Sequence, residues 1–107
     1  MLDIAFADGA RFSLSAEYLR VESPSAEVQG HSPEQRRIVP GRRLVGIIAI
    51  EPVGNYAVRL VFDDTHDTGI YSWDYLRTLG TDHGTRWPAY LNELEARGLS
   101  REPARRR

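Results

Sequence analysis

The chain of 107 residues contains no cysteine, and this absence excludes several kinds of chemistry at once. Disulfides, thiolate metal sites, cysteine nucleophiles and iron–sulfur clusters held by protein thiolates all require it. Any metal must use histidine, carboxylate or water as ligands. A long apolar run is also missing, because the opening MLDIAFADGARF is interrupted at Asp3 and matches neither a signal peptide nor a membrane span. We therefore expect a cytoplasmic protein with no membrane partner.

Lysine is absent as well, since all fourteen basic residues are arginine. Residues 1–98 carry ten arginines against fourteen acidic residues, a formal charge of −4. An acidic body repels phosphate, and no basic stripe with interleaved aromatic residues is visible. The arginines of residues 99–107 are the alternative, because they could contact phosphates. Since the rest of the chain is acidic, we expect no nucleic-acid partner.

The composition is that of a folded protein, with 41% hydrophobic residues, 27% charged residues, five Tyr, three Phe and two Trp. A chain of this length builds one modest core and has no room for a second catalytic domain. We assign residues 1–98 to a single domain and residues 99–107 to a flexible, arginine-rich tail.

The N-terminal segment LDIAFADGARFSL shows two alternating runs around Asp8-Gly9. This pattern predicts a hairpin of strands 2–7 and 10–14 joined by a two-residue turn. Ser15 is placed to cap a short helix at 16–21. Residues 22–43 contain three Pro and two Gly, which predicts a loop or a turn of helix. The hydrophobic residues that would anchor this loop are Val28, Ile38 and Val39.

The segment LVGIIAIEPVGNYAVRLVFDD gives the clearest hairpin signal, with a turn at Gly54-Asn55. The expected pairs are Val53 with Tyr56, Ala49 with Leu60, and Ile47 with Phe62. One face of the hairpin then carries Tyr56, Val58, Leu60 and Phe62, and the other is apolar enough to need a cover. Pro52 indicates an edge strand or a bulge.

The C-terminal half predicts one more strand and two helices. Residues 68–71 can form a strand, Ser72 can cap a helix that ends at Gly80, and a last helix runs from about Thr85 towards Gly98 with Pro88 in its first turn. The expected fold is a small α+β domain in which antiparallel hairpins form a sheet with helices packed on one side.

The segment DDTHDTGIYSWDYLR, residues 63–77, raises the question of a metal site. His66 with Asp63, Asp64 and Asp67 can bind iron or zinc if the turn folds all four inward. The alternative is a solvated acidic turn. A calcium loop fits poorly, because Thr68 stands where such a loop needs glycine. No nucleophile elbow or phosphate-binding loop occurs, so we do not expect an enzyme.

Residues 63–75, together with LRVESPSAEV at 19–28 and IEPVGNYAVRLVFDD at 50–64, resemble the gamma-butyrobetaine hydroxylase-like N-terminal domain family. The resemblance covers roughly residues 10–80. It implies a domain that precedes the iron and 2-oxoglutarate jelly roll in hydroxylases, that is appended to some P-loop iron–sulfur carrier ATPases, and that forms small bacterial proteins by itself.

The resemblance also implies a structural zinc in the hydroxylases, held by three cysteines and one histidine. Those positions correspond here to Ser23, Ser25, Val28 and His66. Serine and valine are not zinc ligands, so the resemblance implies a fold that has lost its zinc. The two serines are expected to hydrogen-bond His66 or nearby backbone groups, and Val28 to fill the space of the third thiolate.

These observations favour a non-enzymatic accessory or protein-interaction module without a cofactor. Its expected contact residues are Tyr56, Arg59, Tyr71 and Trp73, because aromatic residues and arginine commonly anchor interfaces; core packing is the alternative for Trp73. The expected partner is a protein, either an iron–sulfur carrier ATPase, another iron–sulfur assembly component, or a second copy of the chain. The rival hypothesis is an iron- or zinc-binding protein that uses His66 and the turn from Asp63 to Asp67.

Overall fold

The computed structural model of the protein describes residues 1–30 and 35–103. Within them, two antiparallel sheets and four helices form an α+β fold, as the sequence predicts. The elements in chain order are β1 (Leu2–Ala5), β2 (Arg11–Leu14), α1 (Ala16–Val21), α2 (Ala26–Gln29), β3 (Ile47–Val53), β4 (Ala57–Phe62), β5 (Gly69–Ser72), α3 (Trp73–Thr81) and α4 (His83–Ala96). None of the helices in these two ranges is long and apolar enough to cross a membrane.

The first sheet is the N-terminal hairpin of β1 and β2, in which Leu2 pairs with Leu14. The Phe6 N–H donates to the Ala10 carbonyl at 2.8 Å, so residues 7–9 form a three-residue loop. The predicted two-residue turn was therefore wrong. Gly9 adopts φ +93°, the left-handed conformation with which three-residue hairpin loops commonly end.

The second sheet has the order β3-β4-β5, which makes β3 an edge strand and explains how it tolerates Pro52. Its hairpin loop also contains three residues, 54–56, so the predicted pairs of Val53 with Tyr56 and Ala49 with Leu60 were wrong by one position. The observed pairs are Val53 with Ala57, Ile50 with Leu60, and Ala49 with Val61. A bulge at Ile48 then restores the predicted pairing of Ile47 with Phe62.

The main core lies between the inner face of the second sheet and helices α1 and α3. Its fully buried members from the sheet are Leu60, Phe62 and Tyr71, and those from the helices are Tyr18, Leu19, Leu76 and Leu79. The two buried tyrosines also satisfy backbone carbonyls, because Tyr18 donates to Leu79 O at 2.6 Å and Tyr71 donates to Leu19 O. The core therefore fixes α1 against both β5 and α3.

The helix ends follow recognisable capping patterns. Ser15 Oγ accepts from the Tyr18 N–H at 3.1 Å and Ser72 Oγ from the Tyr75 N–H at 3.0 Å, which confirms both predicted caps. Helix α3 extends one residue beyond Gly80. Helix α4 begins at His83, so Pro88 lies inside it instead of in its first turn.

A second, smaller core packs residues 28, 38 and 39, from the described parts of the predicted loop, against α4. Its buried members are Val21, Val28, Val39, Tyr90 and Leu94, and Ile38 packs against them. The Tyr90 hydroxyl donates to Val39 O at 2.7 Å. The three predicted anchors of this loop are therefore confirmed, and they hold the loop on the last helix.

The start of the expected tail is attached to the body. The Gly41 N–H donates to Ser100 O at 2.9 Å and the Arg43 N–H to Arg101 O at 3.0 Å. The Arg101 guanidinium donates to both carboxylate oxygens of buried Glu17, at 2.7 and 2.8 Å, and lies over the Trp87 ring. A free tail would make none of these contacts; Arg105, Arg106 and Arg107 lie outside the described residues.

Candidate functional site: a buried histidine corner

His66 lies in the turn that leaves β4. The Phe62 N–H donates to His66 O at 2.9 Å, and the His66 N–H donates to Asp64 Oδ1 at 3.1 Å. Thr65 adopts φ +73°, the left-handed conformation that closes the turn. This backbone turns the imidazole inward, and only 2% of the His66 side chain is exposed.

The His66 ring meets side chains from the end of α1 and the start of α2. Its Nε2 lies 2.9 Å from Ser23 Oγ and 3.4 Å from Ser25 Oγ, and the two hydroxyl oxygens are 3.2 Å apart. On its other edge, Nδ1 lies 3.3 Å from Glu27 Oε2. The structure thus brings together three of the four positions that the resemblance assigned to zinc. Glu27 joins them, although the sequence analysis did not select it.

This geometry assigns the ring proton to Nδ1. A carboxylate can only accept a hydrogen bond, so Nδ1–H donates to Glu27 and Nε2 accepts from the Ser23 hydroxyl. Burial is the main cause that lowers the pKa of His66 below 6.5, and the positive charge of Arg20 lowers it further, whereas Glu27 and Asp64 act in the opposite direction. The ring is therefore neutral at neutral pH, as this tautomer requires.

The residues at this corner do not fit a zinc ion. Two hydroxyls, one imidazole and a hydrocarbon replace the thiolate-rich donor set that structural zinc sites use. Val28 is buried in the second core among Val21 and Val39, so its side chain contributes packing. The resemblance implies that a zinc ion joins these segments in the hydroxylases. In this chain, hydrogen bonds between His66 and the two serines, Ser23 and Ser25, join them.

The acidic residues near His66 face in different directions, contrary to the metal-site hypothesis. Asp64 pairs with Arg20 at 2.8 Å and Arg42 at 2.7 Å, while Asp67 is exposed and lies 3.7 Å from Arg59. Asp63 is exposed as well. Across residues 1–30 and 35–103, no three histidine, aspartate or glutamate side chains are arranged to hold a metal. Asp64 instead balances the positive charges of Arg20 and Arg42. Burial raises the pKa of Asp64, but hydrogen bonds from Arg20 and the His66 N–H bring that pKa below 3.8.

The four predicted contact residues have different surroundings. Tyr56 is 63% exposed in the β3–β4 loop, and Trp73 is 41% exposed with its Nε1 donating to Asn55 O at 3.1 Å. Arg59 is half-exposed and pairs with Glu51. Tyr71 is fully buried, so the prediction that it contacts a partner was wrong. Its place opposite Val58 on the inner face of the sheet explains why.

Two isoleucines outside the predicted contact residues are exposed: Ile48 belongs to the apolar second face that the hairpin pattern predicts, whereas Ile70 was not selected from the sequence. Ile48 lies at the β3 bulge and is 68% exposed, and Ile70 on β5 is 46% exposed. Ile70 pairs with Arg59, which faces away from the core. The sequence signal for this surface was the alternation of residues in β4, which left a second face apolar enough to need a covering element. The described residues provide no such element.

The fold and the corner together define a small α+β domain in which a buried histidine is held by serine hydroxyls. The sequence profile of the family described as "Gamma-butyrobetaine hydroxylase-like, N-terminal" matches residues 1–77. The chain belongs to this family, which confirms the resemblance and extends it to the first residue. No curated protein matches the chain.

Three solved structures are similar to this one. Two solution NMR structures share 44% and 50% sequence identity with the chain, each with a TM-score of 0.80; they align with 97% and 98% of this chain and with 82% and 78% of their own. The third is a 1.93 Å crystal structure of a protein of unknown function from Acidithiobacillus ferrooxidans, assigned to the DUF971 family. It is 42% identical, with a TM-score of 0.60, over 73% of this chain and 76% of its own.

Proposed function

We propose that the protein is a non-enzymatic accessory module that binds another protein through the outer face of its three-stranded sheet. The observation that carries this proposal is an uncovered apolar surface. We call this surface the outer sheet patch, and it consists of Ile48, Ala49, Arg59, Val61 and Ile70. Its two largest aliphatic side chains, Ile48 and Ile70, are 68% and 46% exposed.

Strand pairing places Ala49, Arg59, Val61 and Ile70 on the side away from the helices, and Ile48 is the exposed bulge residue next to Ala49. Ala49 pairs with Val61 and Arg59 with Ile70, and residues directly opposite each other share a face. Leu60 and Phe62, which alternate with these positions on β4, point into the core. The patch therefore runs across all three strands from the edge strand β3 to β5.

The charge within the patch is already balanced. Arg59 donates to Glu51 Oε1 and, at 3.1 Å, to Asp67 O. A partner would therefore cover aliphatic side chains and the stem of one paired arginine, which is the composition of a typical interface core. Tyr56, exposed in the adjoining β3–β4 loop, extends the surface at one end.

The partner that we propose is a P-loop iron–sulfur carrier ATPase. The support comes from the family resemblance, in which this domain is appended to such ATPases within one chain. A domain that is covalently attached in some proteins can bind the same partner as a separate chain in others. The chain has no cysteine with which to hold a cluster, so its contribution would be binding to the carrier.

The test is calorimetric titration of the purified chain into the purified carrier ATPase encoded in the same genome. We expect saturable binding that Ile70→Glu and Ile48→Asp each weaken about tenfold or more, because a charge would be buried against the partner. Leu44→Asp is the matched control, since Leu44 is 71% exposed and lies outside the patch. This control should bind like the wild type.

Two results would overturn the assignment. Absence of binding would exclude the ATPase, and equal affinities for Ile70→Glu and wild type would exclude the patch. Sedimentation of the chain alone tests a second copy as the occupant. A concentration-dependent dimer that Ile70→Glu dissociates would assign the patch to self-association.

A further inference from the structure

We infer that the protein binds an extended peptide segment of another protein, which adds a strand to the free edge of β1 and inserts one apolar side chain into an adjoining cavity. The cavity measures about 250 Å³ and is lined by all four residues of β1 and, opposite them, by Ile50, Val58, Trp73 and Leu76. None of these residues belongs to the outer sheet patch, so the inference stands apart from the proposed function.

The cavity lies along the edge of β1 that faces away from β2, because every residue of β1 and no residue of β2 lines it. The pairing of the first hairpin determines which backbone groups point to this edge. The Phe6 N–H donates to the Ala10 carbonyl, so these two residues form a hydrogen-bonded pair. Hydrogen-bonded and non-hydrogen-bonded pairs alternate along an antiparallel ladder, which places Asp3 and Ala5 at non-hydrogen-bonded positions. Their N–H and C=O groups therefore point away from β2.

These outward backbone groups are free to pair with another strand. Within residues 1–30 and 35–103, the N–H and C=O groups of Asp3 and Ala5 make no backbone hydrogen bond outside the hairpin, and both residues are exposed. Evenly spaced donors and acceptors on a strand edge are the groups to which extended peptides add. The edge of β3 is less suitable, because Pro52 lacks an N–H and the bulge at Ile48 interrupts the spacing.

The wall of the cavity opposite β1 is apolar and incompletely covered. Ile50 pairs with the core residue Leu60 and so lies on the inner face of the second sheet, yet half of it is exposed. Trp73 is also exposed, and its indole N–H already donates to Asn55 O, so the ring offers apolar surface. The volume is below the roughly 300 Å³ at which small-molecule sites begin. The cavity therefore suits a single aliphatic side chain.

The charge of Asp3 specifies the chemistry of the peptide. Among the described residues that line the cavity, Asp3 alone is charged, and it makes no ion pair with the described part of the chain. Its Oδ1 accepts from Ser13 Oγ at 2.5 Å, which leaves Oδ2 available. In an added antiparallel strand, the residue opposite Ile4 faces the cavity and the next residue lies opposite Asp3. The fitting segment is therefore an aliphatic residue followed by arginine or lysine.

The test is NMR titration of the isotope-labelled chain, at constant ionic strength, with the blocked peptide acetyl-Val-Thr-Leu-Arg-Val-amide. We expect saturable shifts at the amides of Asp3 and Ala5 and at the indole N–H of Trp73. N-methylation of the Thr and Arg of the peptide, whose amides face β1, should abolish binding, whereas N-methylation of its Leu and second Val should not. The peptide with Glu in place of Arg should bind about threefold more weakly or worse.

Two variants of the chain locate the site. Ile50→Asp places a charge in the apolar wall and should weaken peptide binding about tenfold or more. Ile48→Asp is the matched control, because it adds the same charge to the same strand but in the outer sheet patch, and it should bind the peptide like the wild type. Ile50 is half exposed on an edge strand, so its variant should fold, and dispersed amide spectra verify this. Equal affinities of the two variants, equal affinities of the two methylated peptides, or shifts without saturation would overturn the inference.

Discussion

Ser23 Oγ and His66 Nε2 lie 2.9 Å apart, although 43 positions separate the two residues in the chain. The contact connects the end of α1 with the turn after β4, and both groups are buried. In the cysteine-containing proteins that the sequence resembles, the corresponding positions would share a zinc ion. A hydrogen bond has the same connecting role here, and its contribution to stability can be measured.

Removal of either member of this pair should destabilise the fold. His66→Ala deletes a buried ring and leaves Ser23 without its acceptor, so we expect a loss of about 2–4 kcal/mol in the free energy of unfolding. Ser25 lies farther from the ring, at 3.4 Å, and Ser25→Ala should cost about 1 kcal/mol or less. Urea denaturation measures both variants. A loss in Ser25→Ala as large as that in His66→Ala would contradict the minor role that the 3.4 Å distance assigns to Ser25.

Replacement of the three substituted positions should create a zinc site. The triple variant Ser23→Cys, Ser25→Cys, Val28→Cys provides three thiolates beside His66, a donor set that binds zinc tightly. We expect one zinc per chain by elemental mass spectrometry, and a lower zinc affinity in competition with a chelator for the otherwise identical variant that also carries His66→Ala. A zinc-free triple variant would mean that residue 28, packed in the second core, does not reach the corner.

The stability of the protein should fall as the solution is acidified below about pH 6.5. The pKa of His66 is lowered in the folded state, so the unfolded chain binds the proton more readily in this range. Stability therefore increases with pH until His66 is neutral in both states. The pKa of Asp64 is also lowered, but from 3.8, so its effect appears at a lower pH. Urea denaturation at pH 7.5 and pH 5.5 measures the effect. Between these two pH values, the free energy of unfolding should change less in His66→Gln than in the wild type.

Gly80 should tolerate no side chain. A Cβ there would lie 2.4 Å from the Phe12 ring, so Gly80→Ala forces α3 away from the first hairpin and should cost about 1–3 kcal/mol. Gly84 is the matched helical control, because a Cβ at that position would meet no atom within 4 Å. Gly84→Ala should stabilise the protein by up to about 1 kcal/mol. Thermal unfolding compares them, and similar effects would contradict the close packing at Phe12.

Arg101 should contribute more to stability than Arg97, whose ion pair is exposed. Arg101→Ala leaves buried Glu17 without its paired donors, for an expected loss of about 1–3 kcal/mol. Arg97→Ala removes an exposed ion pair between Glu93 and the residue that follows α4, and should cost less than about 0.5 kcal/mol. Chemical denaturation of the two variants gives the comparison. Indistinguishable variants would mean that the C-terminal segment is loosely attached in solution.

The sequence predicted the fold well where local chemistry determines the structure. The caps at Ser15 and Ser72 were recognisable from residue type and spacing. The pairing of Ile47 with Phe62 was correct only because the bulge at Ile48 cancels the error in loop length. Loop length was less predictable, because Asp-Gly and Gly-Asn dipeptides occur in both two- and three-residue hairpin loops. The assumed two-residue loops shifted the register by one position at each hairpin.

The candidate site was predictable only in part. The resemblance placed Ser23, Ser25 and His66 together, and the structure brings them within hydrogen-bonding distance. Long-range charge pairing was not visible in the sequence, so the role of Asp64 as a partner of two arginines went unrecognised. The burial of Tyr71 likewise depends on which sheet face α1 covers, and that is a tertiary property.

The pairing of Glu17 with Arg101 also bears on how the chain folds during synthesis. Glu17 leaves the ribosome early, and its charge partner follows 84 residues later. Until then the carboxylate of α1 lacks the donors that compensate its burial. The family profile ends at residue 77, so a fragment cut at that boundary would also lack them. The contacts that stabilise α1 in this structure therefore extend beyond the region by which the family is recognised.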